Sequence, residues 1–336
     1  MIDLKLDDWP ERELADGVGL RPISGVALAA VLREHSEQLR AAPTAFALYS
    51  GELKDISPNF PPTKREHAIA RANNLEWVFP KKAAKGGVAL STRVEALALA
   101  VMRLPRSWPE LAGDKGKTAR ELLGFDPKVA WASDAWFAVE ECHPPLHELS
   151  RESHGLAFLR WLAQRVLPYP CFLWDEQSLA LRLFTTPASL RKALNQSTNF
   201  VRALDPLSYR GILSSFDGRR WWRSGVESFL WDITAGAPFD PDLIHAVINR
   251  RYKVQLSKIP SQDAVICIDS DFTTTDDFAP ISEAVRVQPD DWPPYADQAW
   301  TRTRLAAEEP SLETIVVAAD RKRVLAWKSA HSPGAK

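Results

Sequence analysis

One stretch of the chain, GRRWWRSGVESFLW, combines arginines with tryptophans: Arg219, Arg220 and Arg223 surround Trp221 and Trp222. Guanidinium groups can bind phosphates and indole rings can stack on bases, so these residue types suit nucleic-acid binding. A second interpretation places both rings in a core, where the aliphatic stems of the arginines cover them. The residue types alone leave both interpretations open.

A second basic cluster follows in the stretch NRRYKVQLSK, which contains Arg250, Arg251 and Lys253. These side chains either make a further phosphate contact or form the solvated end of a helix. From residue 178 to residue 260 the chain has 12 Lys and Arg against 6 Asp and Glu, a net charge of +6, and an acidic C-terminal region follows. A basic middle of this kind favours a polyanionic partner.

Carboxylates that could hold a metal ion follow the apolar run DAVICID. Asp269 is the last residue of this run, and Asp271, Asp276 and Asp277 come shortly after. Carboxylates at the end of a strand are typical Mg²⁺ ligands in nucleases and phosphotransferases. Aspartate also favours turns through its own backbone contacts. We therefore predict no metal site, and keep Asp269 and Asp271 as the alternative.

The stretch that precedes both basic clusters predicts two helices separated by a short turn. The stretch SLALRLFTTPASLRKAL, residues 178–194, has apolar residues at helical spacing on both sides of a turn at 184–186. Thr186 can cap the second helix, and Pro187 suits its first turn. Ala180 is small enough to let the two helices cross closely.

This pattern resembles the helix-turn-helix and winged-helix units of DNA-binding proteins, over about 17 of 336 residues. The resemblance implies that the second helix enters the major groove, with Ser189, Arg191 and Lys192 facing the groove and its phosphates. Phe184 departs from the family pattern, which usually has Gly in the turn. Two alternatives stay open: a winged-helix-like fold that is used for protein contact, and an ordinary helical hairpin in which the pattern arises by chance.

The remaining patterns predict a mainly α, multi-domain fold. Helical spacing in the N-terminal half, strongest in residues 88–104 and 147–167, predicts an all-helical region. Residues 263–272 are β-branched and short, which predicts a buried strand, and residues 313–329 suggest a β-hairpin. We predict a helical domain, a central helix-turn-helix-like basic domain and a small acidic α/β module, in the ranges 1–145, 146–262 and 263–336.

Composition limits the classes of function. The chain has no apolar run of the ~18 residues that a membrane helix needs, and its three cysteines lie far apart. We expect a cytoplasmic protein without a cofactor or a membrane partner. The function that we predict is a non-catalytic, nucleic-acid-binding component, with DNA preferred, of a larger bacterial-type assembly with protein partners. The alternatives are a Mg²⁺-dependent nuclease that uses the C-terminal aspartates and a protein–protein scaffold. We favour a non-catalytic role, and the nuclease alternative leaves enzymatic activity open.

Overall fold

The computed structural model describes residues 1–3, 24–38, 43–51, 66–81, 88–105, 108–109, 112–150 and 155–331. They fall into two compact units, and each unit is assembled from several segments of the chain. Unit 1 comprises Met1–Asp126, His143–Pro168 and Arg210–Gly218, and unit 2 comprises Pro127–Cys142, Tyr169–Tyr209 and Arg219–Lys336. The predicted division into three consecutive domains stays a prediction.

Unit 1 contains short parallel strands and several helices. Its helices and strands are β1 (Ile2–Asp3), α1 (Gly25–Gln38), β2 (Ala47–Ser50), α2 (Glu66–Ala72), β3 (Trp77–Pro80), α3 (Leu90–Arg103), α4 (Ala112–Leu122) and α6 (Leu156–Trp161), which a π-helical turn over Leu162–Val166 extends. The intervening helix α5 (Ala132–Glu141) belongs to unit 2.

The three strands of unit 1 overturn the prediction of a mainly α fold with an all-helical N-terminal half. They form a parallel sheet in the order β1-β2-β3, and the whole structure is mixed α/β with helices in the majority. Strands β2 and β3 have only 4 residues each and are almost continuously buried. Such strands show no alternation of polar and apolar residues, so the sequence pattern did not reveal them.

A buried carboxylate holds this sheet to its neighbours. Glu76 is completely buried, and it accepts hydrogen bonds from the Arg33 side chain at 2.9 Å and from the Phe46 backbone N–H at 2.5 Å. A buried charge is stable only when it is paired and hydrogen-bonded. Glu76 directly precedes β3, and it therefore connects β3 to α1 and to Phe46, the residue before β2.

In unit 2, α5 is followed by a series of helices, and a sheet with its own helices forms the C-terminal part. Its further elements are β4 (Leu173–Trp174), α7 (Glu176–Arg182), α8 (Pro187–Gln196), α9 (Thr198–Leu204), β5 (Trp221–Trp222), α10 (Arg223–Ile233), α11 (Pro241–Tyr252), β6 (Ala264–Ile268), β7 (Thr274–Pro280), β8 (Ala284–Val287), β9 (Ala299–Arg302), α12 (Thr303–Glu308), α13 (Pro310–Thr314) and α14 (Arg321–His331).

A helical core lies beneath the predicted helix pair. Leu179, Ala180 and Leu190 are buried with Val226 of α10 and Ile248 of α11, so the pair packs onto further helices. The buried His245 of α11 also contacts the backbone carbonyl of Leu183 at 2.9 Å. This packing determines which face of α8 stays exposed to solvent.

The C-terminal part of unit 2 is a sheet of four strands in the order β7-β6-β9-β8. The buried strand predicted in residues 263–272 is confirmed as β6. The hairpin predicted in residues 313–329 is wrong, because α13 and α14 occupy most of that range. Its β-branched run joins the sheet only through a single bridge from Val316 to Val287, while the residues after it continue as a helix.

The described residues include no helix with both the length and the apolar character that crossing a bilayer requires. All three cysteines, Cys142, Cys171 and Cys267, are buried, and none of them forms a disulfide bond.

Candidate nucleic-acid interface

The helix pair forms as its local residues predict. Thr186 accepts a hydrogen bond from the Ser189 backbone N–H at 3.2 Å, and Pro187 takes the first position of α8. Asp175 caps α7 in the same way, through the Ser178 N–H at 2.7 Å. Phe184 adopts φ = 51° in the turn, which is the left-handed region that usually favours Gly. The turn therefore forms at some cost in strain, although the family's usual residue is missing.

One side of α8 is exposed and polar. Arg191, Lys192, Asn195 and Gln196 lie on it, whereas Leu190 and Ala193 face the core. Ser189, which we predicted to face the groove, is almost buried instead, and its hydroxyl oxygen accepts a hydrogen bond from the backbone N–H of Ser257 at 2.8 Å. Ser189 therefore holds α8 against the chain that follows α11 and is not on the exposed side.

The segment after α11 runs along α8. The Ser197 hydroxyl donates to the Tyr252 carbonyl oxygen at 2.7 Å at one end of α8, and Thr185 donates to the Ser257 carbonyl oxygen at 2.7 Å near the other end. Lys253 reverses the chain direction here, with φ = 54° just after α11 ends. These contacts bring the last turn of α11 beside the C-terminal end of α8.

This arrangement brings together cations that are distant in sequence. We call the exposed residues Lys192, Arg202, Arg250, Arg251 and Lys253 the basic surface. In the described part of the chain, no carboxylate forms an ion pair with any of them. Residues 177–204 and residues 243–262 contain no Asp or Glu, so both segments that form the surface lack acidic side chains.

Our sequence-based prediction missed Arg202, which lies on α9 one helix beyond the predicted unit. The signal that could have revealed it is the absence of acidic residues from 177 to 204, which continues past residue 194. Arg250 and Arg251 lie in the last turn of α11. The C-terminal end of a helix carries partial negative charge, and these two cations offset it.

Arg191 lies on the exposed side of α8 but is already bound. Its guanidinium pairs with Glu176 of α7 and donates two hydrogen bonds to Asp276 of β7. The hydrogen bonds to Asp276 raise the pKa of Arg191, and they lower the pKa of Asp276. A phosphate would have to compete with both carboxylates for this side chain.

The tryptophan pair proves to be a core anchor. Trp221 is 1% exposed in the helical core, and Trp222 stacks on Phe172 with ring centroids 5.7 Å apart. Trp222 also meets Trp131 and Tyr209 at centroid distances of 6.1 and 5.9 Å. Neither ring is available to stack on a base in this structure.

The three arginines beside this pair have different surroundings. Arg220 is only 8% exposed, so it does not reach the protein surface. Arg223 pairs with Glu227 at 3.2 Å and with Asp297 at 2.9 Å, and it lies over the Trp174 ring. Arg219 is exposed, but the residues after it pair with Ser208 and Tyr209, not with α8 or α11. The structure therefore does not join these arginines to the basic surface.

The aspartates after β6 do not form a metal-binding group. One carboxylate oxygen of Asp269 accepts hydrogen bonds from the backbone N–H groups of Asp271 and Thr273, at 2.9 and 3.0 Å, which is the geometry of a turn. Asp276 pairs with Arg191, and Asp277 with Arg302. No group of three or more metal-ligating side chains occurs among the described residues.

Comparison with known proteins does not extend these observations. No protein-family model matches the chain, and no match is found among curated proteins or among solved structures. The case for a function therefore depends on the geometry and charge of the site.

Proposed function

We propose that this protein binds DNA as a non-catalytic component of an assembly, and that α8 with the basic surface forms the contact. The single observation that carries the proposal is the packing of the segment that follows α11 along α8, which makes two acid-free segments, 177–204 and 243–262, neighbours. Most sequence-independent affinity for DNA comes from Lys and Arg that neutralise phosphates. Exposed cations without a carboxylate partner are free to do so at little cost.

The shape of the helix pair supports the same proposal. In a helix-turn-helix unit the second helix lies in the major groove while neighbouring elements contact the backbone. Here Asn195 stands beside Lys192 on the exposed side of α8, and amide side chains of this kind can pair with adenine edges in the major groove. Arg202 lies on α9, the next helix after α8, and Arg250 and Lys253 lie at the end of α11, which contacts the C-terminal end of α8. From there they could contact phosphates.

The decisive experiment measures binding of a short fluorescent DNA duplex by anisotropy at several salt concentrations. The triple variant Lys192→Ala, Arg250→Ala, Lys253→Ala should bind more weakly at low salt. Each lost phosphate contact should reduce the slope of log affinity against log salt by about 0.9. A reduction of ~2 to 3 units in slope, with an unchanged melting temperature, is the expected result.

Arg304→Ala is the matched control. Arg304 is an exposed arginine of α12 that pairs with Glu308 at 2.8 Å, so its removal changes the net charge without touching the basic surface. The proposal fails if the wild-type protein shows no salt-sensitive binding to duplex or single-stranded DNA. It also fails if Arg304→Ala reduces the slope as much per residue as the triple variant does.

The same measurement separates the alternatives. A scaffold that contacts only protein would show no salt-dependent DNA binding, and a nuclease would cleave plasmid DNA when Mg²⁺ is added. A cytoplasmic location and further protein subunits remain parts of the proposal.

A further inference from the structure

Unit 2 contains a cavity of about 290 Å³ that no part of the proposed DNA contact uses. Helix α7 and the turn after it form one side, through Ser178, Arg182 and Phe184, and strands β6 and β9 of the sheet form the other. Binding pockets for small molecules have volumes of roughly 300–1,000 Å³, so this cavity lies at the small end of that range.

The walls of the cavity are mainly apolar and rich in aromatic rings. Trp174, Phe184, Trp292 and Trp300 all line it. Phe239 lies at its edge and is 75% exposed, which is unusual for a phenylalanine. Pockets of this composition hold the apolar body of a ligand, and the few polar groups in them determine its orientation.

The guanidinium group of Arg182 gives the cavity a positive charge. Arg182 lines the cavity with its guanidinium 4.4 Å from the centroid of the Phe239 ring, and it donates a hydrogen bond to the Pro238 carbonyl oxygen at 2.8 Å. No carboxylate among the described residues forms an ion pair with Arg182, although Glu227, which pairs with Arg223, is near enough to attract it electrostatically. Asp297 also lines the cavity, but it is paired with Arg223. The cavity thus has one half-buried cation that a carboxylate could neutralise.

Two more cavity residues carry polar atoms without a partner. The Trp174 indole nitrogen and the Ser178 hydroxyl oxygen are buried, and neither forms a hydrogen bond. The indole N–H can only donate, and the hydroxyl can donate. Buried donors without an acceptor are uncommon because they lose their bonds to water on folding. Both atoms are shielded from solvent, so they lie behind the accessible surface of the cavity wall and Arg182 is the polar group that carries the argument.

We propose that this cavity binds a small organic anion, in which a carboxylate meets Arg182 and an aromatic or branched aliphatic body packs against the tryptophans and Phe184. Arginine suits this role because its N–H groups match the two oxygens of a carboxylate.

Isothermal titration calorimetry on the full chain tests the proposal without DNA, so its outcome is independent of the proposed function. The probes are 2-naphthoate and its neutral counterpart 2-naphthamide, which share a ring system and differ in charge. We expect saturable one-to-one binding of 2-naphthoate, with a Kd at least ten times lower than that of the amide. Absence of saturable binding, or equal affinity for both probes, would overturn the proposal.

Variants then locate the site. Arg182→Gln should weaken 2-naphthoate at least tenfold and leave the amide nearly unchanged. Arg304→Gln, outside the cavity, should change neither. Thermal melts establish that each variant is folded, and the comparison of the two probes on the wild-type protein decides the charge preference even if Arg182→Gln unfolds. Unaltered 2-naphthoate binding by folded Arg182→Gln would show that the anion binds elsewhere.

Discussion

Arg191 of α8 and Asp276 of β7 form a two-pronged ion pair, although 85 residues separate them in the sequence. One guanidinium nitrogen donates to Oδ2 at 2.8 Å and the other donates to Oδ1 at 3.0 Å. The pair joins the exposed side of the proposed recognition helix to the acidic C-terminal sheet. An acidic side chain thus occupies a place where a DNA phosphate could bind.

Removal of Asp276 should therefore strengthen DNA binding. Asp276→Ala deletes a negative charge beside α8 and leaves Arg191 bound only to Glu176. We expect an affinity gain of roughly fivefold at low salt, because an exposed ion pair is worth up to about 1 kcal/mol. Fluorescence anisotropy with a short duplex measures the change.

Asp263→Ala is the control for this variant, since Asp263 is an exposed aspartate of the same sheet region that does not contact Arg191. Arg191→Ala should have little effect on its own and a larger effect in the Asp276→Ala background. Equal gains from Asp263→Ala and Asp276→Ala would show that only net charge matters and that the pair does not restrain Arg191.

The two kinds of tryptophan near α10 should respond differently to truncation. Trp222→Ala removes a buried ring from an aromatic cluster and should cost about 3–5 kcal/mol in the free energy of unfolding. Trp231→Ala, at a site that is 58% exposed, should change it by less than ~0.5 kcal/mol. Urea denaturation measures both values. A small loss for Trp222→Ala would contradict its placement in the core.

Asp320 should make the stability of the C-terminal sheet depend on pH. It is buried and accepts three hydrogen bonds from Arg286, which lower its pKa. Because the pKa is lower in the folded state, the stabilisation is complete above the unfolded pKa of about 4. It is lost as the pH falls through the lowered folded pKa.

Asp320→Asn should therefore be less stable than wild type at pH 7 by about 1–2 kcal/mol. The difference should shrink as the pH falls below about 4. Urea denaturation at neutral and acid pH, with the exposed Asp290→Asn as the control, measures it. A difference that stays constant down to acid pH would mean that the Asp320 charge does not contribute.

The aspartates after β6 should act as turn residues. Asp269→Ala with Asp271→Ala should lower the melting temperature by a few degrees, since hydrogen bonds within the turn are lost. It should leave DNA binding intact. Addition of Mg²⁺ should not raise the melting temperature of the wild-type protein. A Mg²⁺-dependent increase that disappears in the double variant, together with plasmid cleavage, would instead support a nuclease.

Local signals explain what the sequence predicted well. Thr186 and Pro187 specify the start of α8 through contacts within one turn, so the helix pair could be predicted without a structure. Strands β2 and β3 could not, because each is short and buried and its partner lies about 30 residues away. The hairpin predicted in residues 313–329 is wrong because the β-branched run makes only a single bridge to the sheet, and the residues after it form α14.

Some features of the candidate site could likewise be predicted from local signals, and others depend on distant contacts. The solvent exposure of Lys192, Arg250, Arg251 and Lys253 could be predicted from their charge and from helical spacing. The burial of Arg220 and the pairing of Arg191 depend on contacts with residues far along the chain, which no local pattern contains. Arg202 was missed because it lies outside the short motif, although it is part of the same acid-free segment.

Phe184 belongs both to the turn that precedes α8 and to the wall of the cavity. Its carbonyl oxygen also accepts a hydrogen bond from the Ile259 N–H at 3.1 Å, which connects it to the chain beyond the basic surface. An anion in the cavity would therefore contact the turn that leads into the proposed DNA-binding helix. Thermodynamic reciprocity then requires that any factor by which the anion changes the DNA affinity equals the factor by which DNA changes the anion affinity.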